Sequence, residues 1–142
     1  MEIIHVISGK IEIKKRHEIN RAVEHIVQCQ IINGANVSIW CIDYKSNPLF
    51  FKNRTKFLNF PNARNVFKIS KDLTNSIKLK NQDAVFHFHG AFIVEYFLLT
   101  KLLKETGHNY VYTPHSILNG KKYNLANLKN YFHLKVIEKN II

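Results

Sequence analysis

Cysteine, glycine, proline and acidic side chains are all scarce in this 142-residue sequence: two Cys, five Gly, three Pro and ten Asp plus Glu. Two cysteines are too few for a disulfide scaffold, and Cys29 and Cys41 fall in a predicted helix and strand, where thiols pack as small hydrophobes. So little glycine and proline excludes a low-complexity or collagen-like chain. No apolar run approaches the ~20 residues that cross a bilayer. The start does not read as a secretion signal, because Glu2 and His5 interrupt it and the apolar run ends at Gly9. The expected location is a reducing cytoplasm.

What is plentiful is apolar and basic. A hydrophobic fraction of 46%, with ten Phe and six Tyr, supplies the core of one compact domain. The net charge of +11 is concentrated. Lys45, Lys52, Arg54, Lys56, Arg64, Lys68, Lys71, Lys78 and Lys80 meet only Asp72 in the stretch 45–80. Such a field favours anionic partners; the alternative is an ordinary solvated face. Asp43 to Pro61 reads as a long loop, within which Asn47 to Pro61 interleaves aromatic and cationic residues. Lys52, Arg54 and Lys56 are its candidate contacts with an anionic membrane surface. Single-stranded nucleic acid is a weaker alternative.

Hydrophobic periodicity orders the elements. Ile3 to Ile7 is a β-branched run closed by Ser8 and Gly9, a buried first strand. After a polar stretch, Ile19, Ala22, Val23, Ile26 and Val27 recur at helical spacing, with Gly34 at the C-cap. Val37 to Ile42 is a second strand, Val66 to Ile69 a third, and Ser70 caps a short helix running toward Leu79. Ala84 to Phe88 is a fourth strand. A helix face of Phe92, Ile93, Tyr96, Phe97, Thr100 and Leu103 follows, closed by Gly107. Tyr110 to Tyr112 is a fifth strand, and Leu125, Leu128, Phe132 and Val136 mark a last amphipathic helix. Alternating strands and helices imply an α/β domain: a single Rossmann-like, doubly wound parallel sheet with helices on both faces. Ligands of such sheets bind outside the C-terminal strand ends. Ser8-Gly9, His87 to Gly90 and Thr113 to Ser116 all belong there.

Chemistry-bearing motifs are few. His87-Phe88-His89-Gly90 puts two imidazoles on one strand face, and Gly90 permits close approach of a ligand to the backbone. His115 ends the next strand. Histidine donates, accepts or exchanges protons near neutral pH, which suits sugar hydroxyls or phosphate. The pattern favours a structural role for His87 and leaves His89 and His115 open between structural and functional roles. His87, His89 and His115 could together hold zinc. No cysteine pair, HExxH or neighbouring carboxylate completes that set, so no metal and no cofactor is expected. GxGxxG and GxxxxGK[ST] are both missing, and no nucleophile elbow surrounds Ser116.

Two segments carry a resemblance. Asp83-Ala84-Val85-Phe86-His87-Phe88-His89-Gly90 and Gly107-His108-Asn109-Tyr110-Val111-Tyr112-Thr113-Pro114-His115-Ser116 resemble the two histidine-bearing segments of family 4 glycosyltransferases. Gly34-Ala35-Asn36-Val37 is similar to that family's turn into its second strand. The likeness spans essentially the whole chain. It implies the acceptor-side, N-terminal half of a GT-B fold, with residues 1–142 as one domain cut off before the donor-binding half. It further implies retaining transfer from a nucleotide-sugar, usually without metal, onto a saccharide or lipid-linked acceptor, in cell-surface polysaccharide or glycolipid synthesis. His115 takes the position of the active-site histidine. Gly9, His89, Gly90 and Ser116 take positions on the acceptor cleft. The expected location becomes the cytoplasm, at the inner face of the cell membrane. Where that family has a glycine pair in its first loop, this chain has Gly9 followed by Lys10. The alternative is a non-enzymatic Rossmann-like module for phosphorylated sugar or anionic lipid.

Overall fold

The structure, a computed structural model, describes residues 1–9, 13–43, 55–61, 63, 68–91 and 93–115, with side chains of the first helix from residue 18 onward. Strand β1 (Glu2–Ser8) leads into helix α1 (Ile13–Ile32) and strand β2 (Asn36–Ile42). Strand β3 (Lys56–Phe60), helix α2 (Lys71–Lys78), strand β4 (Val85–His89), helix α3 (Val94–Thr106) and strand β5 (Asn109–Thr113) follow. All strands run parallel in the order β3-β2-β1-β4-β5. The order reverses at β1, so a crevice opens between β1 and β4 at their C-terminal ends.

Helices cover both faces, giving a Rossmann-like α/β sandwich. On one face, Ile19, Val23 and Val27 of α1 pack on Ile7, Val37, Ile39 and Cys41. On the other, Leu73 and Ile77 of α2 and Tyr96, Leu99 and Leu103 of α3 pack on Ile4, Val6, Trp40, Phe86 and Phe88. The period of two along β1, β2 and β4 divides each strand between these cores, which is why the central strands are largely apolar, with His5, Ser38, His87 and His89 as interruptions. No helix among the described residues is long and apolar enough to cross a membrane.

Local chemistry sets the helix ends. Ser70 has extended backbone, and its Oγ accepts the Leu73 N–H at 3.3 Å, satisfying one donor of the first turn of α2. Ser70→Ala is expected to lower stability by about 1 kcal/mol, read as a shifted denaturant midpoint with unchanged slope. At the far end of α3, Gly107 takes φ +73° and the His108 N–H reaches the Leu103 carbonyl at 2.9 Å, a glycine-terminated cap.

Two expectations are corrected. The third strand is not Val66 to Ile69: residues 68 and 69 are not in a strand, and 66 and 67 lie outside the described residues. It is Lys56–Phe60, inside the segment read as loop. This edge strand needs only one buried flank, so it lacks the apolar density of the inner strands. Phe60 is buried against Trp40 (ring centroids 5.0 Å apart), and Phe57 packs against the α1-side core. Two of the aromatics proposed for membrane or base contact therefore belong to the fold. The expected last helix (125–136) lies outside the described residues.

Candidate functional site

Parallel register determines which side chains meet. His5 of β1 lies directly opposite His87 of β4. His89, two residues on, shares their face. That face is the α1 side, since Ile7, two residues beyond His5, belongs to the α1 core. The histidine rings gather tightly, with centroids 5.1 Å apart for His5–His87, 5.0 Å for His5–His89 and 4.0 Å for His87–His89. His115, just past β5, stacks on His89 with centroids 5.1 Å apart.

Hydrogen bonds join them into a chain. Gln30 of α1 faces His5 Nε2 with its Oε1 at 2.7 Å. His5 Nδ1 and His89 Nε2 are 2.7 Å apart, and His89 Nδ1 and His115 Nε2 are 2.8 Å apart. An amide oxygen only accepts, so His5 carries its proton on Nε2. A neutral His5 then accepts at Nδ1 from His89 Nε2–H, and His89 accepts at Nδ1 from His115 Nε2–H. The last lone pair, on His115 Nδ1, is left outside the chain. The Gln30 amide thus sets the sense of three bonds at the rim. His87 stands beside the chain, its Nε2 2.8 Å from Thr113 Oγ1.

Burial keeps these rings neutral. It pushes His89 far below the ordinary histidine range, with further lowering from the charges that His87, His5 and His115 would carry if protonated. His87 is pushed down to about 4, by burial first and then by His5 and His115. His5 is lowered by burial, partly opposed by its bond to Gln30, and His115 is lowered by burial.

The rim itself is pinned. Tyr96 of α3 points its hydroxyl at the carbonyls of Val6 (3.1 Å) and His89 (2.8 Å), tying β1 to β4 at the crevice. Gly90 turns out of β4 at φ +103° while its N–H holds the Thr113 carbonyl at 3.0 Å. Gly9 donates its N–H to Ile42 at 2.7 Å, extending the β1–β2 ladder by one step. Among the described residues, two non-glycine residues have left-handed backbone, Asp43 (φ +58°) and His115 (φ +42°). Both sit just beyond a strand's C-terminal end. Such strain costs on the order of 1–3 kcal/mol and concentrates at sites that position a side chain.

Among the expected site residues, Gly9, His89, Gly90 and His115 all lie at the C-terminal rim, with His89 and His115 in contact. Ser116, Lys52 and Arg54 lie outside the described residues. Lys56 is exposed, but it opens β3 opposite Ser38 and so lies toward the N-terminal edge, away from the rim. Three residues of the assembly escaped the sequence reading. His5 looked like part of an apolar strand, and only the β1–β4 register reveals its neighbours. Gln30 is one of several polar residues on a long helix. Asp43 was assigned to loop, yet it follows β2 directly, and its side chain has no hydrogen bond or ion pair among the described residues. A polar residue interrupting a buried β-branched run, as His5 does, was the one available signal.

Comparison with known protein families, curated proteins and solved structures finds no match to this chain.

Proposed function

We propose that this chain is the acceptor-binding half of a retaining glycosyltransferase that uses a nucleotide-sugar donor. The observation that carries the reading is the C-terminal rim, where Gly9, Asp43, Gly90 and His115 follow four strands of one parallel sheet. A sugar presents many hydroxyls, each able to donate and accept. The Asp43 carboxylate accepts, His115 Nδ1 accepts in the tautomer set by Gln30, and the glycines let a ligand approach the backbone. The resemblance of the two histidine-bearing segments to family 4 glycosyltransferases supports the same assignment. Catalysis in such a site is positional and electrostatic: the rim fixes the acceptor hydroxyl, and a facing donor-binding half supplies the activated sugar.

A second reading, a binding module for phosphorylated sugars or anionic lipid, is favoured by one observation. A groove of about 480 Å³ between α2 and α3 is lined by Lys68, Lys71 and Lys101, with one acid, Glu105, around Ile69 and Leu102.

The two readings place the ligand differently, so backbone amide NMR separates them. Titration with saccharides and glycolipid headgroups is expected to shift Gly9, Asp43, Gly90 and His115, and Asp43→Asn is expected to weaken that binding about tenfold, roughly one charge-assisted hydrogen bond. Shifts confined to Lys71 and Lys101 with sugar phosphates would transfer the assignment to the groove. No shift at the rim with any saccharide would remove the acceptor reading.

A further inference from the structure

The rings of His5, His87 and His89 have a property that the acceptor reading does not use. Each can direct one nitrogen toward the other two, and the three candidate ligand atoms lie within 4.8 Å of one another. We propose that they form a binding site for a divalent late transition metal of the zinc class, set in the α1-side face of the sheet. The proposal does not rest on sugar transfer, although the ion would reverse the tautomer of His115.

The outer partners of the rings carry the argument. A metal-ligating histidine gives its second nitrogen to an acceptor, which fixes tautomer and orientation. All three rings have such a partner. His5 Nε2 faces Gln30 Oε1 at 2.7 Å, leaving Nδ1 for the ion. His87 Nε2 faces Thr113 Oγ1 at 2.8 Å, leaving Nδ1. His89 Nδ1 faces His115 Nε2 at 2.8 Å, leaving Nε2. The three outer partners come from α1, the end of β5 and the turn after it, so the shell is fixed from several sides.

The geometry is within reach of an ion. Zinc–nitrogen bonds of about 2.0–2.1 Å place two tetrahedral ligand atoms about 3.3 Å apart. His5 Nδ1 and His89 Nε2 stand at 2.7 Å and need to open by well under an ångström, and the His87 nitrogen closes on them from within 4.8 Å, both by rotation of rings on fixed strands. Burial already favours neutral imidazoles, the form that ligates. The proton count also closes. Without metal, His89 and His115 are protonated on Nε2. With metal, His89 carries its proton on Nδ1 and donates it to His115 Nε2, while the His115 proton moves to Nδ1. Two tautomers change and no proton is released.

The donor set selects the ion. Three imidazoles, with no carboxylate or thiolate among them, suit Zn²⁺, Co²⁺, Ni²⁺ or Cu²⁺ and not Mg²⁺ or Ca²⁺. Three neutral ligands leave the ion its full double charge and a coordination position for water or an anion. His87 is only partly buried, and Val111, its register partner on β5, is half exposed, so the approach is from the β5 side.

The test uses the full chain, stripped with a chelator and titrated with Co²⁺ as a spectroscopic probe. One equivalent is expected to produce the visible absorption of nitrogen-ligated cobalt, and Zn²⁺ is expected to displace it. Mg²⁺ should do neither. His87→Ala, on the least buried of the three rings, should abolish the spectrum while circular dichroism shows the fold retained. Thr113→Val, which removes only an outer partner, should weaken binding about tenfold or more. His25→Ala, on the exposed side of α1, should change nothing. No cobalt spectrum, or a spectrum that survives His87→Ala, would overturn the site. Loss on His25→Ala would mark surface binding and overturn it equally. Because the ion would reverse the His115 tautomer, saccharide binding at the rim is measured on the chelator-treated chain, where the acceptor reading and this inference fail separately.

Discussion

Joined to the donor-binding half of a family 4 glycosyltransferase, these 142 residues are expected to transfer sugar to a suitable acceptor, and His115→Ala is expected to lower turnover by about 100-fold or more. Residues 1–142 by themselves are expected to transfer none. The second expectation follows from charge. Departure of the nucleotide develops negative charge on a diphosphate, which needs aimed donors in a water-poor site. The first loop offers one glycine, and no phosphate-cradling motif occurs in the sequence. A single open sheet edge also cannot screen the reaction from water. The first expectation follows from the hydrogen-bond chain. His115 is held by His89, which is held by His5 and Gln30, so its Nδ1 is aimed without help from the ligand. A proton acceptor positioned in this way contributes roughly 10²–10⁴-fold in rate. His115→Gln, which keeps a hydrogen-bonding tip, should fall between wild type and alanine. Nucleotide-sugars and candidate acceptors would be assayed with the chimera, its variants and the unfused chain. Turnover by the unfused chain, or full activity in the His115→Ala chimera, would end the half-enzyme reading.

The fold was legible wherever burial acts on both sides of an element. β1, β2 and β4 lie between two helical layers, so their sequences are almost continuously apolar, and the first and fourth runs end at Gly9 and Gly90. α2 and α3 were legible from Ser70 and Gly107, whose roles as cap residues depend only on local backbone geometry. β3 was missed because an edge strand is stabilised by its neighbour, through the Phe60–Trp40 contact, and not by a pattern of its own. α1 was placed too late for a related reason. Its first turns carry Lys14, Lys15 and Arg16, and nothing apolar before Ile19 repeats at the helical period. The site divides in the same way. His89, Gly90 and His115 were visible because strand ends are visible. The buried part of the chain was not, because the contact between His5 and His89 spans 84 residues and exists only through the register of β1 on β4. Lys56 illustrates the converse: its charge suggested a role in a loop, and strand pairing placed it toward the opposite edge of the sheet.

In the presence of a chelator, which keeps the rings metal-free, the chain is expected to lose about 3 kcal/mol of stability between pH 6.5 and pH 5 from His87 and His89 together. A ring buried in neutral form has a folded-state pKa below its unfolded value, near 6.5. Below pH 6.5 the unfolded chain therefore binds more protons than the folded one, and stability falls as pH falls. The contribution is complete above that value and is lost downward through the folded pKa, about 4 for His87 and lower for His89. Over this interval each ring held neutral accounts for about 1.5 kcal/mol. His5 and His115, lowered in the same direction, steepen the loss. Glu2 does not blur the window. Burial pushes its carboxyl up, but its bonds to Lys80 and Ser38 and the nearby lysine charges more than offset this, so it titrates below its ordinary range. His87→Gln separates this mechanism from general acid sensitivity. Glutamine can still bond Thr113 but does not titrate, so the variant should lie within about 1 kcal/mol of wild type at pH 7.5 and lose about 2 kcal/mol less on going to pH 5. Denaturant unfolding at the two pH values, with and without the substitution, gives all four free energies. Equal acid losses in both proteins would mean that His87 is already protonated in the native state, and the neutral histidine chain would then be the wrong description of this face of the sheet.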